Sequence, residues 1–158
     1  MRHLPKHLRP RYRYLAVEVE TWPDAEFDRG EFADALGTAA RSLLGDAETA
    51  AIDLRVVDLE LEAGGGSAIV RVRRNTVDRA RAAVACVDAV AGQPVRIGVR
   101  GVGGKLRATE EQYRGAPPQA QGSETAQFRD QQVEAFDRDD RVDLRIDQAF
   151  VGAIPEDL

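Results

Sequence analysis

Hydrophobic residues in the first two-thirds of this chain switch between two spacings, and the order of the switches limits the folds open to it. In "RYRYLAVEVE" they fall at every second position. Leu15, Val17 and Val19 point one way and Tyr14, Glu18 and Glu20 the other, as in a half-buried strand. After a break at "TWPDAEF", Asp28 followed by Glu31 reads as a capping box that opens a helix. Phe32, Leu36, Ala40, Leu43 and Leu44 then share one helical face, and Gly45 is placed to end it. "IDLRVVDLEL" is a second strand whose apolar phase slips between Val56 and Val57, which predicts a bulge or a two-sided strand. "AGGGS" makes a hairpin turn, because glycine reaches positive φ without steric cost. "AIVRVRR" is a third strand, with Ala68, Val70 and Val72 inward and Ile69, Arg71 and Arg73 outward. Asn75 is placed to cap a second helix with Val77, Ala80, Val84 and Val87 on its apolar stripe. "PVRIGVRG" is a fourth strand, with Val95, Ile97 and Val99 inward and Arg96 and Arg100 outward.

The order β-α-β-β-α-β, with both helices on one face, specifies an α+β fold. It is the ferredoxin-like split βαβ sandwich with an antiparallel sheet, an arrangement also used by RNA-recognition domains. We divide the chain into an α/β domain over residues 1–114, with a basic N-terminal arm, and a C-terminal extension over 115–158. "APPQAQGS" reads as a linker. "SETAQFRDQQVEAF" reads as a short helix from Ser123. "RVDLRID" alternates strictly through Val142, Leu144 and Ile146, so a fifth strand is expected there, docked at a sheet edge or facing a partner.

Charge is placed unevenly over these segments. Residues 1–114 hold 18 bases and 17 acids, whereas 115–158 hold 4 bases and 10 acids, so the net charge of -5 is a property of the extension. Up to Arg13 the chain has five Lys or Arg, two His and no carboxylate. All but two of the 22 bases are arginine. Excess acid with little lysine looks like a protein from a salt-loving microbe, in which net negative charge maintains solubility. GC-rich coding bias would account for the arginine alone.

Catalytic constellations are missing from the sequence. His3 and His7 stand four apart, but Pro5 lies between them and no third ligand is near. Cys86 is the only cysteine, which rules out an internal disulfide and reads as a core residue in a reducing cytoplasm. "GVRGVGGK" departs from a phosphate loop at Val99 and Leu106, and its "GVGG" follows a strand rather than joining two helices as in KH domains. A turn that allows close backbone approach is the simpler reading. No apolar run approaches the ~20 residues that span a bilayer, and the first residues lack the apolar stretch of a signal peptide, so we expect a cytoplasmic protein with no membrane partner.

What remains is arginine on a sheet. Arg71, Arg73, Arg96 and Arg100 project from the face opposite the helices, with Arg74, Lys105 and Arg107 at the strand ends and the loop beyond. Beside an all-basic arm, so many bidentate phosphate donors point to a nucleic acid. At ~1 M salt the Debye length is only ~3 Å, so binding must rest on direct contact, which favours the arginine fork and tyrosine stacking.

"LPKHLRPRYRYLAVEVE", "AIVRVRR", "ACVDAV" and "VRIGVRGVGGKLRATEEQY" together resemble the archaeal RNase P protein component 2 family, homologous to the eukaryotic Pop-five subunit, in order over residues 1–114. The resemblance implies a subunit of the ribonucleoprotein that removes the 5′ leader from precursor tRNA, from a haloarchaeon by its composition. It implies that the RNA carries the active site, with Mg²⁺ held by RNA phosphates and none by this chain. It also implies pairing with protein component 3 and assembly with the other RNase P proteins. On this reading Arg9, Arg11, Tyr12 and Arg13 hold phosphates or unstacked bases of the catalytic RNA. Arg71, Arg73, Arg74, Arg96, Arg100, Lys105 and Arg107 are further candidates by charge and geometry. A small-ligand regulatory domain with a glycine-lined pocket, or a purely protein-binding scaffold, would have the same fold without needing the basic arm.

Overall fold

The computed structural model describes residues 3–113, 115, 120–154, 156 and 158. Strand β1 (Tyr12–Thr21) lies at the centre of a five-stranded sheet of order β2-β3-β1-β5-β4, with β2 Arg55–Glu62, β3 Gly65–Arg73, β4 Ala89–Val90 and β5 Gln93–Gly103. β1 pairs antiparallel with β3 and β5, which requires the chain to cross over the sheet twice. Helices α1 (Arg29–Ile52) and α2 (Val77–Ala85) make these crossings and cover one face. Leu15, Val17 and Val19 meet Phe32, Leu36 and Ile52 of α1 and Ala80 and Val84 of α2 in a single core. The β-α-β-β-α-β arrangement read from the sequence is the arrangement found.

Local expectations meet the structure unevenly. Asp28 and Glu31 do form a capping box, with Asp28 Oδ1 accepting from the Glu31 amide at 2.8 Å and Glu31 Oε2 from the Asp28 amide at 2.9 Å. The bulge falls where the phase slip put it, since the β2–β3 register shifts between Val56 and Asp58. Gly45 does not end α1. It interrupts it at φ 79°, and the helix resumes to Ile52, leaving Leu43 about half exposed. Only Gly64 of the glycine turn takes positive φ, while Gly65 and Gly66 belong to β3. Gly66 is required there for space, because a Cβ would lie 1.9 Å from the Glu60 carbonyl oxygen. Asn75 is not the cap of α2; a 3₁₀ turn over Arg74–Thr76 leads into it, held by the Thr76 hydroxyl on the Arg73 carbonyl at 2.8 Å. Cys86 follows the last turn of α2 and is exposed rather than buried.

A third helix, α3 (Leu106–Tyr113), was not expected. It packs on the face opposite α1 and α2. A bulge in the β1–β5 pairing between Ala16 and Val17 turns Val102 into the core and Gly101 and Gly103 outward. Tyr113 and Thr109 fill the space above them: a Cβ on Gly101 would lie 2.0 Å from Tyr113, and one on Gly103 1.8 Å from the Thr109 hydroxyl. The "GVGG" glycines are therefore a seat for a helix.

The largest departure is in the extension. Its "APPQ" segment lies outside the described residues. The segment read as a helix from Ser123 is a hairpin of β6 (Gln121–Phe128) and β7 (Gln131–Arg138). "RVDLRID" does form a strand, β8 (Arg141–Ile146), followed by β9 (Ala149–Ala153). It does not extend the first sheet but joins a separate four-stranded meander, β6-β7-β8-β9. Each connection has two residues, with αL backbone at Arg129 and Asp130, at Asp139 and at Asp147. Aspartate tolerates that conformation better than most side chains, so these turns close without glycine.

The second sheet is fastened to the end of β1. Trp22 is buried and stacks on Phe150, ring centroids 3.9 Å apart. Arg138, wholly buried, pairs with the equally buried Asp143 and donates to the carbonyls of Gly64 at 2.8 Å and Thr21 at 2.6 Å. Arg96 bridges Glu20 at 2.7 Å and Asp143 at 3.0 Å, and Arg141 binds Glu20 from the other side. Burial pushes the Glu20 carboxyl up, but the hydrogen bonds and charges of Arg141 and Arg96 outweigh it and hold its pKa below the usual range.

Two outcomes follow from this junction. Removing one member of a buried ion network leaves the others unpaired, so Arg138→Met should cost about 3 kcal/mol in urea unfolding and speed amide exchange in β7 and β8 first. An unchanged midpoint would show that the junction is held by Trp22 alone. The depressed pKa of Glu20 makes its contribution complete above the ordinary glutamate value of about 4.3 and lost as pH falls through the lower folded value. Stability of Glu20→Gln measured from pH 6 to pH 3 should therefore fall less steeply than that of the parent chain.

Candidate nucleic-acid interface

β1 begins where β3 and β5 end, so three strands bring their basic residues to one end of the first sheet. Tyr12 stands opposite Arg73 and Tyr14 opposite Gly103, and the Arg74 amide donates to the Arg11 carbonyl at 2.9 Å. Arg11, Arg13, Arg73 and Arg74 meet there, with Lys105 just past β5 and Arg107 in the first turn of α3. The arm continues outward from Arg11 through a 3₁₀ turn at Lys6–Leu8, and Arg9 Nε donates to the Leu4 carbonyl at 2.9 Å. His3 through Arg11 are all exposed. Among the described residues no carboxylate pairs with Arg9, Arg11, Arg13, Arg73, Arg74, Lys105 or Arg107. Uncompensated guanidinium groups on an exposed, continuous end are the electrostatic footprint of a phosphate backbone.

Tyr12 and Arg71 are held against each other. The Arg71 guanidinium carbon lies 4.1 Å from the centroid of the Tyr12 ring, a cation–π contact. The Tyr12 hydroxyl donates to Asp53 Oδ2 at 3.4 Å. One cationic neighbour was not singled out from the sequence. Arg55, two-thirds exposed, stands directly across from Arg71. Its sequence neighbourhood is acidic, and only the β2–β3 register brings it to the basic end.

Arg96 and Arg100 lie elsewhere. Arg96 belongs to the junction with the second sheet, and Arg100 Nε lies 3.3 Å from Glu18. Both project from the face opposite α1 and α2 as expected, but toward carboxylates. That face is not uniformly basic. Asp58, Glu60 and Glu18 follow the arginine end along the strands, and α3 and the second sheet cover much of the rest. The basic character is concentrated at the strand ends.

Other chemistry finds little support in the geometry. Among the described residues no group of three or more His, Cys, Asp or Glu side chains could hold a metal ion. The glycines that a regulatory effector pocket would need are filled by Tyr113 and Thr109. Among the described residues no helix is long and apolar enough to cross a membrane.

Comparison with known proteins places the chain in a family. The family model described as the Rpp14/Pop5 family matches residues 13–114. A protein of Natronomonas pharaonis named ribonuclease P protein component 2 is 45% identical over 158 residues, 100% of this chain and 98% of its own. One of the same name from Halorubrum lacusprofundi is 46% identical over 153 residues, 97% of this chain and 96% of its own. A third, from Methanosarcina mazei, is 30% identical over 113 residues, 72% of this chain but 92% of its own.

Proposed function

The chain belongs to the Rpp14/Pop5 family and is a protein subunit of ribonuclease P, and we propose that it grips the catalytic RNA through the basic end of its first sheet. It takes part in the endonucleolytic removal of the 5′ leader from precursor tRNA, within a ribonucleoprotein whose RNA performs catalysis. The observation that carries the proposal is the convergence of Arg11, Arg13, Arg73, Arg74, Lys105 and Arg107, brought together from three strand ends without carboxylate partners among the described residues. Arg9 and the rest of the arm extend the same surface outward. Arginine suits this task in a salt-rich cell. Its planar fork keeps its worth at contact distance, where screening is least effective.

The roles of chain and RNA divide accordingly. Fixing phosphates that would otherwise repel each other lets the RNA keep a compact, active shape. On this reading Mg²⁺ is held by phosphates of the RNA, while Glu18, Glu20 and Asp143 of this chain are engaged by arginines. Protein component 3 and the other RNase P proteins are the partners we assign to the surfaces left over, with precursor tRNA as the substrate of the whole particle and the cytoplasm as its place.

Two measurements test this. Arg11→Ala with Arg73→Ala and Arg74→Ala should weaken retention of the catalytic RNA in high salt, each lost charge-assisted contact costing about 1.5–3 kcal/mol where it is desolvated. The thermal melt should move little, since exposed side chains usually change stability by under ~0.5 kcal/mol. Retention equal to that of the parent chain would remove this end from the RNA interface. The purified chain alone should cleave no precursor tRNA, and cleavage should require the cognate RNA with Mg²⁺. RNA-free cleavage abolished by one side-chain change would overturn the division of roles.

A further inference from the structure

Directly opposite residues on neighbouring strands share a face and stand side by side. At the basic end this rule produces one row across four strands: Arg55 opposite Arg71, Arg71 opposite Tyr14, and Tyr14 opposite Gly103. The row lies on the face away from the core, because Val70 and Val72 on either side of Arg71 point inward. Arg71 and Tyr14 are half-buried and Arg55 is exposed, so the row offers two flat groups beside a cation whose Nε lies 3.6 Å from Asp53 and whose side chain is still two-thirds exposed. Tyr12 stacks on the Arg71 guanidinium and fixes its plane. Arg71 Nε is shielded and has no hydrogen-bond partner among the described residues.

The surroundings limit what can lie on this row. Beyond Gly103 the face rises into α3, where Thr109 and Tyr113 stand over the strand. Along the strands the next polar positions are Asp58, Glu60 and Glu18, which repel phosphate. A phosphate backbone can therefore approach from the arginine-rich end or past Arg55 at the β2 edge, but not across α3 or the carboxylates. A duplex keeps its base faces inside the stack, so it cannot use flat groups in such a recess. An unpaired nucleotide can, by laying its base on a tyrosine ring or guanidinium plane while its phosphate stays with the arginines outside.

We infer that the row Arg55–Arg71–Tyr14 is a seat for one unpaired nucleotide of the RNA, entered from the basic end of the sheet. This deepens the proposed function and rests on it: the arginines around Arg11 hold the backbone, and the row reads the presence of a base turned out from it.

The test uses the full chain and three hairpin RNAs: one with a single bulged 2-aminopurine, one with the same bulge lacking its base, and one fully paired. The bulged RNA should bind about tenfold more tightly than the abasic one, with its fluorescence quenched on binding. Arg71→Lys, which keeps the charge and loses the plane, should erase the quenching and bring affinity for the bulged RNA down to that for the abasic one. Tyr14→Leu should do the same, and Arg71→Lys decides the matter if Tyr14→Leu folds poorly. Equal affinity for bulged and abasic RNA without quenching overturns the seat, whether the row then serves a protein partner or none. Loss of the paired hairpin's binding in Arg11→Ala/Arg73→Ala/Arg74→Ala reads the backbone grip separately. Retained binding there, with the bulge preference intact, would sink the proposed function and spare the seat.

Discussion

Arg138 keeps a positive charge where water does not reach, and the relation between the two sheets depends on how that charge is met. Desolvating a guanidinium costs several kcal/mol unless its donors are satisfied. Here Asp143 takes the charge and the Gly64 and Thr21 carbonyls each take a further donor. Those carbonyls sit at the β2–β3 turn and the end of β1, so the second sheet reads the backbone of the first. An apolar contact such as Trp22 on Phe150 tolerates sliding. Hydrogen bonds to two particular carbonyls do not. The network thereby fixes orientation where hydrophobic burial alone fixes only proximity.

The same junction explains why Arg96 does not behave like the other arginines of its strand region. In sequence it alternates outward beside Arg100 and could serve phosphate. In space its neighbours are Glu20 and Asp143, and Asp143 arrives from 47 residues away. The acidity of the extension is thus partly consumed inside the protein, Asp143 meeting Arg96, Arg138 and Arg141, while Arg145 of the extension meets Asp24 of the first domain. Asp130, Asp139, Asp140 and Asp147 are exposed at the two-residue turns, far along the chain from the basic arm.

What the sequence made legible was local. The alternation through Leu15, Val17 and Val19, the helical face through Phe32, Leu36 and Ala40, and the Asp28–Glu31 cap each follow from spacing within a few residues. The arginines of the arm and of the β3 end were legible as charge. The second sheet was misread because "SETAQFRDQQVEAF" has no glycine at its turn, and a hairpin closed by Arg129 and Asp130 lacks the usual Asn-Gly or Asp-Gly mark. Its signal was the spacing: paired turn residues at "RD", "DD" and "DQ" separate segments of five to eight residues. Helix α3 was hidden because its partners are glycines, which carry no hydrophobic pattern. Arg55 and the fate of Arg96 depend on register and on contacts across the chain, which no window of sequence contains.

The two sheets also differ in how far along the chain each strand must look for its neighbour. β1 waits for β3 and for β5, some fifty to eighty residues later, so the first sheet can close only after most of its residues exist. The second is a meander in which every strand pairs with the next through two residues, the kind of contact that forms in microseconds. Slow non-local closure followed by fast local closure gives the chain a built-in order of assembly during synthesis. The second sheet follows the first along the chain, so Arg138 reaches back to two carbonyls that the non-local sheet presents.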